Sequence, residues 1–406
     1  MAAGLIYNTQ VRAILIVCAV ASTAVADDDK DKTYWEGDHA TGTWGGVRDS
    51  LGDRGISIDA VYAAELFANT IGNTGTKLLG HVDAAFTLDT DKAGLWSGGT
   101  LYVLGQNSHG HGIDDLVGSA TQVSNLEAQP YTQLTELFYQ QSLLDDAVMI
   151  RAGKQDANRD FGTPRFGGNF INNNFGMFPT APLPSYPTTG LGAIIAVKPI
   201  DDVSIKAAIY EGNPGVGGLG LDTAFHDGNG YQLVAGAAYT HHYGPGGRDG
   251  GTTSIAGWRQ TGSFDEQDVA VPRTFDTDVG YFIQNDERIY AHPRDTDDPS
   301  GLTWITRFGW AQPDRTLISH YAGMSLAWHG LGFRHDDTVG VAAAYMTIEQ
   351  PLGGATGPGH EVFGELFYKW RLTPFFSLQP DAQIYRHPGG DGRDALVVGL
   401  RVKAKL

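Results

Sequence analysis

The chain has 406 residues, of which 18% are charged and 11% aromatic, with 55 glycines and one cysteine. A formal charge of −18 excludes the basic footprint that nucleic-acid binding requires. The single cysteine excludes a disulfide frame and a thiolate metal site. The length admits two ordinary soluble domains or one large barrel.

The first apolar run is Ala13 to Ala21, A-I-L-I-V-C-A-V-A, between Arg12 and the A-x-A pattern Ala24-Val25-Ala26. It is too short for a membrane helix, which needs about 20 residues. Residues 1–26 therefore read as a signal peptide cleaved before Asp27, and Cys18 leaves with it. No later stretch approaches the length of a helical span. The exported chain is left to the periplasm, the medium or, as a barrel, the bacterial outer membrane. Residues 27–55 read as a periplasmic segment: a charged, disordered start from Asp27 to Lys32, then Tyr34 to Gly55. Val47 and Leu51 stand four apart, and Gly55 ends the short helix they predict.

From Ile56 to Leu406 the pattern is that of an all-β, transmembrane antiparallel barrel. Ile56, Ile58, Ala60, Tyr62, Ala64 and Leu66 share one parity against Ser57, Asp59, Val61, Ala63 and Glu65. The same two-residue period recurs in segments of about ten residues, the length of a tilted membrane strand. The spans are 56–67, 78–88, 100–107, 131–141, 147–153, 188–198, 203–210, 229–240, 251–262, 278–290, 301–310, 318–329, 337–348, 360–371, 374–385 and 394–406, which makes 16 strands. Thr252 to Gly262 alternates poorly. An even count returns both termini to the periplasm, with short turns such as Leu143–Asp146 on that side and long loops on the other. The last strand, D-A-L-V-V-G-L-R-V-K-A-K-L, has one wholly apolar face and is expected to close against the first. There is no clear repeat and no second domain.

Parity sends Glu65, Asp83, Arg151, Glu365, Lys369, Arg371, Asp381, Arg401 and Lys403 to the lumen. The opposite choice would place Arg or Lys in mid-membrane lipid at about 2–4 kcal/mol each. Glu136 has ambiguous parity because Phe138 shares its face. Sixteen strands leave a bore wide enough for water, so selectivity for a small solute needs a constriction. The candidate is the loop from Lys154 to Pro187, far longer than an ordinary connection. Its candidate contacts are Lys154, Asp156, Asn158, Arg159, Arg165, Phe166 and Asn172, among further asparagines and Phe161, Phe170 and Phe175. Amides and charges match sugar hydroxyls, and aromatic rings match sugar C–H faces. The loop either folds over the outer rim or folds inward as an eyelet. The pairs His109/His111 and His241/His242 and the acidic runs Asp27–Asp31 and Asp295–Pro299 lack metal-site spacing. No hydrolase, zinc or P-loop motif is present, so neither cofactor nor enzyme activity is expected.

Three stretches resemble the carbohydrate-selective porins of the OprB type. They are G-T-W-G-G-V-R-D-S-L-G-D-R-G-I from Gly42; R-A-G-K-Q-D-A-N-R-D-F from Arg151, continued by N-F-G-M-F-P and I-Y-E-G-N-P-G; and L-Q-P-D-A-Q-I-Y-R-H-P-G-G from Leu378, ending in A-L-V-V-G-L-R-V. The resemblance implies a 16-stranded channel for passive diffusion of sugars such as monosaccharides. Its partners would be outer-membrane lipid and the barrel-assembly machinery, as a monomer or homotrimer and without nucleic acid. Such barrels commonly end in Phe or Trp; this one ends in Leu406. A general or other small-solute porin, and a secreted soluble β-rich glycan-binding protein, are the alternatives.

Overall fold

A computed structural model describes residues 33–214, 230–244, 249–267, 271–291, 300–331, 334–350 and 357–406. The expected signal peptide, the Asp27–Asp31 tract and Asp295–Pro299 lie outside these residues. Sixteen strands among them form one closed antiparallel barrel in sequential order. They are β1 (Ile56–Asn69), β2 (Gly75–Asp89), β3 (Gly99–Gly110), β4 (Tyr131–Leu143), β5 (Val148–Gln155), β6 (Gly190–Ile200), β7 (Val203–Glu211) and β8 (Tyr231–Tyr243). The second half comprises β9 (Asp249–Asp265), β10 (Thr274–Ala291), β11 (Gly301–Ala311), β12 (Ile318–Leu331), β13 (Arg334–Ile348), β14 (His360–Thr373), β15 (Phe376–Arg386) and β16 (Asp394–Lys405).

β16 closes on β1, with Arg401 opposite Glu65 and Ala404 opposite Tyr62. Closure pairs every edge, the only way a sheet can lie in lipid without orphaned backbone groups. The outer parity carries Leu66, Ile150, Leu366, Ile384, Val398 and Leu400, all exposed. Near the end that holds the termini it also carries Tyr139, Tyr239, Tyr290, Trp328 and Trp370, an aromatic girdle of the kind that sits at a membrane interface. β9, whose alternation is poor, is nevertheless a strand of 17 residues. Its backbone is held on both sides, by β8 and β10, so neighbours supply what its side-chain pattern lacks.

The N-terminal segment forms a helix at Val47–Asp53. Gly55 then turns the chain into β1 at φ +77°, where a Cβ would lie 2.5 Å from the Asp89 carbonyl oxygen. Arg48 donates to the carbonyls of Ile58 (3.1 Å) and Leu406 (3.2 Å). One side chain thus bridges the segment to both strands of the closing seam.

The inside of the barrel is not a plain water-filled bore. Two loops, 111–130 and 156–189, fold into it and form a hydrophobic core against the inner wall. Phe170, Ile171, Phe175 and Phe178 from the longer loop and Ile113, Val117 and Val123 from the shorter are buried with Phe282, Ile305, Tyr321, Phe363, Phe367 and Tyr385 of the strands. Phe178 stacks on Phe282 at 4.2 Å and Phe170 meets Phe367 edge-on at 5.1 Å. Each buried large apolar side chain contributes about 1.5–3 kcal/mol toward offsetting the entropy of ordering the loops. Inner-wall glycines make room for it. A Cβ on Gly340 would lie 2.4 Å from Phe367, and one on Gly309 would lie 2.1 Å from Thr180 Oγ1.

Candidate functional site

Loop 156–189 leaves β5 and crosses the lumen to the opposite wall. Its far side is tied down by polar groups of β11, β12, β14 and β15. Glu365 accepts from the backbone N–H groups of Ile171 (2.8 Å) and Asn172 (3.3 Å). The Asn172 amide donates to Tyr385 (2.6 Å) and Gln383 (3.1 Å). Lys369 donates to the Asn169 side chain at 2.9 Å. Arg307 donates to the carbonyls of Asn174 and Gly162, both at 2.6 Å, with its guanidinium 3.9 Å over the Phe178 ring. Loop 111–130 is held similarly. Arg401 bonds Glu65 at 2.6 Å and also Asn125 at 2.7 Å, while Ser124 donates to Glu65 at 3.0 Å.

These contacts reassign many of the residues expected to touch solute. Glu65, Glu365 and Asp381 are on the inner side of the wall but buried beneath the loops, and Asn172 is buried where the longer loop meets that wall. Asp381 accepts from Gln383 at 2.9 Å. Asn158 is buried and donates to the Gly176 carbonyl, bracing the loop internally. The Asp156 carboxylate caps Asn158 N at 2.8 Å, and burial pushes its pKa up to about 6. Lys154 is not in the loop. It is a β5 residue opposite Leu137, on the outer parity shared with Ile150, and donates to the Leu134 carbonyl at 2.9 Å. Phe170 and Phe175 are buried in the core, and Phe161, though buried, borders the cavity described below. Arg371 lies at the lumen rim by the termini and donates to the Pro374 carbonyl. Asp83 accepts from Gln106 (2.7 Å) beside His81 (3.0 Å).

Glu136 resolves its ambiguous parity through a bulge. The β3–β4 register passes from Leu104 opposite Glu136 to Gly105 opposite Leu134, skipping Thr135. An extra residue lets neighbours face the same way, so Thr135, Glu136 and then Phe138 are all buried inward. Phe138 underlies two guanidiniums, Arg151 at 5.0 Å and Arg159 at 5.6 Å. Arg159 pairs with Glu136, and Arg151 with Asp160.

Among the described residues, open space lies between the loop and the β7–β10 wall. A cavity of about 240 Å³ is lined by Arg159, Asp160, Arg165, Lys206, Gln284 and Asp286, with Gly236, Ala238 and Ser254 as a small-residue floor. Toward the termini a second cavity, about 150 Å³, shares Arg165 and adds Phe166, Thr240, His242 and Arg288. Phe166 lies under Arg165 at 5.1 Å and Arg288 at 5.9 Å. Lys206 and Arg288 were absent from the expected set. Lys206 was nonetheless readable, because Ser204 and Lys206 alternate with Ile205, Ala207 and Ile209.

The profile of the carbohydrate-selective porin, OprB family, matches residues 74–406. The chain belongs to this family. Two of the three stretches that carried the resemblance fall within the match; Gly42 to Ile56 precedes it. Among solved structures the porin is similar to the high-pH structure of Pseudomonas putida OprB, at 19% identity and a TM-score of 0.82, covering 92% of this chain and 100% of that one. It is also similar to the low-pH structure of Pseudomonas putida OprB, at 15% identity and a TM-score of 0.61, covering 91% and 99%. Those likenesses carry the fold. No curated protein matches the sequence. The porin is an outer-membrane channel for passive diffusion of sugars, and its fold and family are non-enzymatic in kind.

Proposed function

We propose that loop 156–189 is the eyelet of this channel and that a monosaccharide crosses it along the β7–β10 wall, touching Arg159, Arg165, Phe166 and Lys206. One observation supports this reading above others. Of the loop's candidate contacts, Arg159, Arg165 and Phe166 border the open cavities, whereas Asn158 and Asn172 are buried in loop packing. Guanidinium and ammonium groups donate to sugar hydroxyls, and Phe166 offers an apolar face. In the same reading the signal peptide is removed, residues 27–55 sit on the periplasmic side, and the termini end of the barrel is the periplasmic end. The barrel-assembly machinery inserts the chain, as a monomer or homotrimer.

The test is swelling of liposomes carrying the full-length mature protein. Glucose is expected to enter several-fold faster than an amino acid of similar size. Arg159→Glu and Arg165→Glu are each expected to change glucose flux or conductance. Wild-type transport in both variants would remove the eyelet role from the loop.

A further inference from the structure

The cations and carboxylates that line the passage are unequally exposed. Where Arg159 pairs with Glu136, the arginine side chain is 42% exposed and the glutamate 3%. Where Lys206 pairs with Asp160, the lysine is 28% exposed and the aspartate 8%. Asp286 is 3% exposed, and its Oδ2 is occupied by the Arg165 backbone N–H at 2.9 Å. The Arg165 side chain itself is exposed and stands between the two cavities. Arg288 follows toward the termini, 5.9 Å from the Phe166 ring. A solute moving along this wall meets the positive member of each pair, while the negative member is turned into protein. The whole chain is acidic, yet Arg159, Arg165, Lys206 and Arg288 line these cavities, with Asp249 of the second cavity engaged by the Ala291 N–H at 2.8 Å.

Building on the eyelet reading, we infer that the passage admits monosaccharides bearing a carboxylate, aldonates and uronates, as well as neutral sugars. A guanidinium fork binds a carboxylate through two parallel hydrogen bonds. Arg165 provides such a fork beside the Phe166 ring, which suits the C–H face of the same molecule, and the Arg288 guanidinium lies 5.9 Å from that ring. Successive cations also lower the electrostatic barrier for an anion along the path, whereas a neutral sugar uses only their hydrogen bonds. In a narrow, low-dielectric passage such a field changes local anion concentration by tenfold or more.

The experiment uses the full-length mature protein in planar bilayers, with glucose swelling of liposomes run in parallel. In a potassium chloride gradient the reversal potential should show anion selectivity. With chloride on one side and gluconate on the other, gluconate should carry measurable current. Arg165→Gln combined with Arg288→Gln should lower the ratio of gluconate permeability to glucose flux on the order of tenfold. Arg165→Lys, which keeps the charge, should retain anion preference. Heat-dependent gel mobility of each variant reports that the barrel has formed. A cation-selective wild type, or gluconate permeability equal in wild type and double variant, would overturn the inference even if glucose still passes. Failure of glucose itself to pass would overturn the eyelet reading with it.

Discussion

Arg401 and Glu65 illustrate what a single residue's parity can and cannot reveal. Alternation along β1 and β16 assigns both to the inner face, and the register sets them opposite each other. It does not reveal that Ser124 and Asn125, some 60 and 280 residues distant from them along the chain (to about the nearest ten), would cover the pair and remove it from water. A buried ion pair that loses one member leaves an uncompensated charge, at about 3–5 kcal/mol. Arg401→Met is therefore expected to lower barrel stability by that order, read as the midpoint of the heat-dependent mobility shift or of urea unfolding. The double variant Glu65→Gln with Arg401→Met should recover most of the loss, because no charge is then stranded. Equal losses in single and double variants would show that the pair is not coupled. Glu136 makes the complementary point: its direction depends on a bulge at Thr135 that pairing with β3 creates, so no reading of β4 alone could decide it.

At the scale of elements, the two inward loops are held by polar contacts whose ionisation makes one of them pH-sensitive. In loop 111–130, Glu127 accepts from the backbone N–H of Asp114 at 2.6 Å. Burial, then the Asp114 carboxylate, pushes the Glu127 pKa up to about 8, and burial raises Asp114 to about 6. Glu65 and Asp115 add further negative charge nearby. Both pKa values are raised, so the folded loop favours the protonated acids. Their stabilising contribution is complete below the ordinary carboxylate range and is lost as pH rises through about 6 and then about 8. Hydrogen exchange of residues 111–130, corrected for its intrinsic pH dependence, should accelerate between pH 5 and 8. Glu127→Gln, which keeps the acceptor, should flatten the upper part of that change; an unchanged profile would assign the pH response elsewhere. The length of loop 156–189 marked it as unusual, but only its partners on β11, β12, β14 and β15 show that it crosses the bore. Its phenylalanines are ambiguous in sequence for the same reason: a ring that stacks on a sugar and a ring that packs on Phe367 look alike until the opposite wall is known.

For the molecule as a whole, closure is the decisive event, and backbone groups accomplish it. Leu406 donates its N–H to the Ala60 carbonyl at 2.8 Å, and Lys405 donates to that of Phe375. The seam therefore forms without calling on the aromatic side chain that such barrels commonly carry at the end. Arg48 fastens the N-terminal segment across it, with bonds to Thr41, Ile58 and Leu406. Hydrogen bonds made by a charged donor contribute about 1.5–3 kcal/mol each, less where water competes. Arg48→Ala is expected to lower the temperature of the heat-dependent mobility shift while leaving the barrel insertable. An unchanged transition would mean that the segment merely rests on the seam.

The sequence by itself determined the barrel, its sixteen strands, the face most strand residues present and the pairing of last strand with first. Lipid imposes a strict two-residue period on anything that spans it as a strand, and that period is local enough to read along the chain. Only the tertiary structure decided which inward residues border open space. Arg159, Arg165 and Lys206 border open space while Glu65, Glu365 and Asn172 do not, because two loops fill most of the lumen. That outcome depends on contacts between residues far apart in sequence, across a bore whose far wall no local pattern can describe.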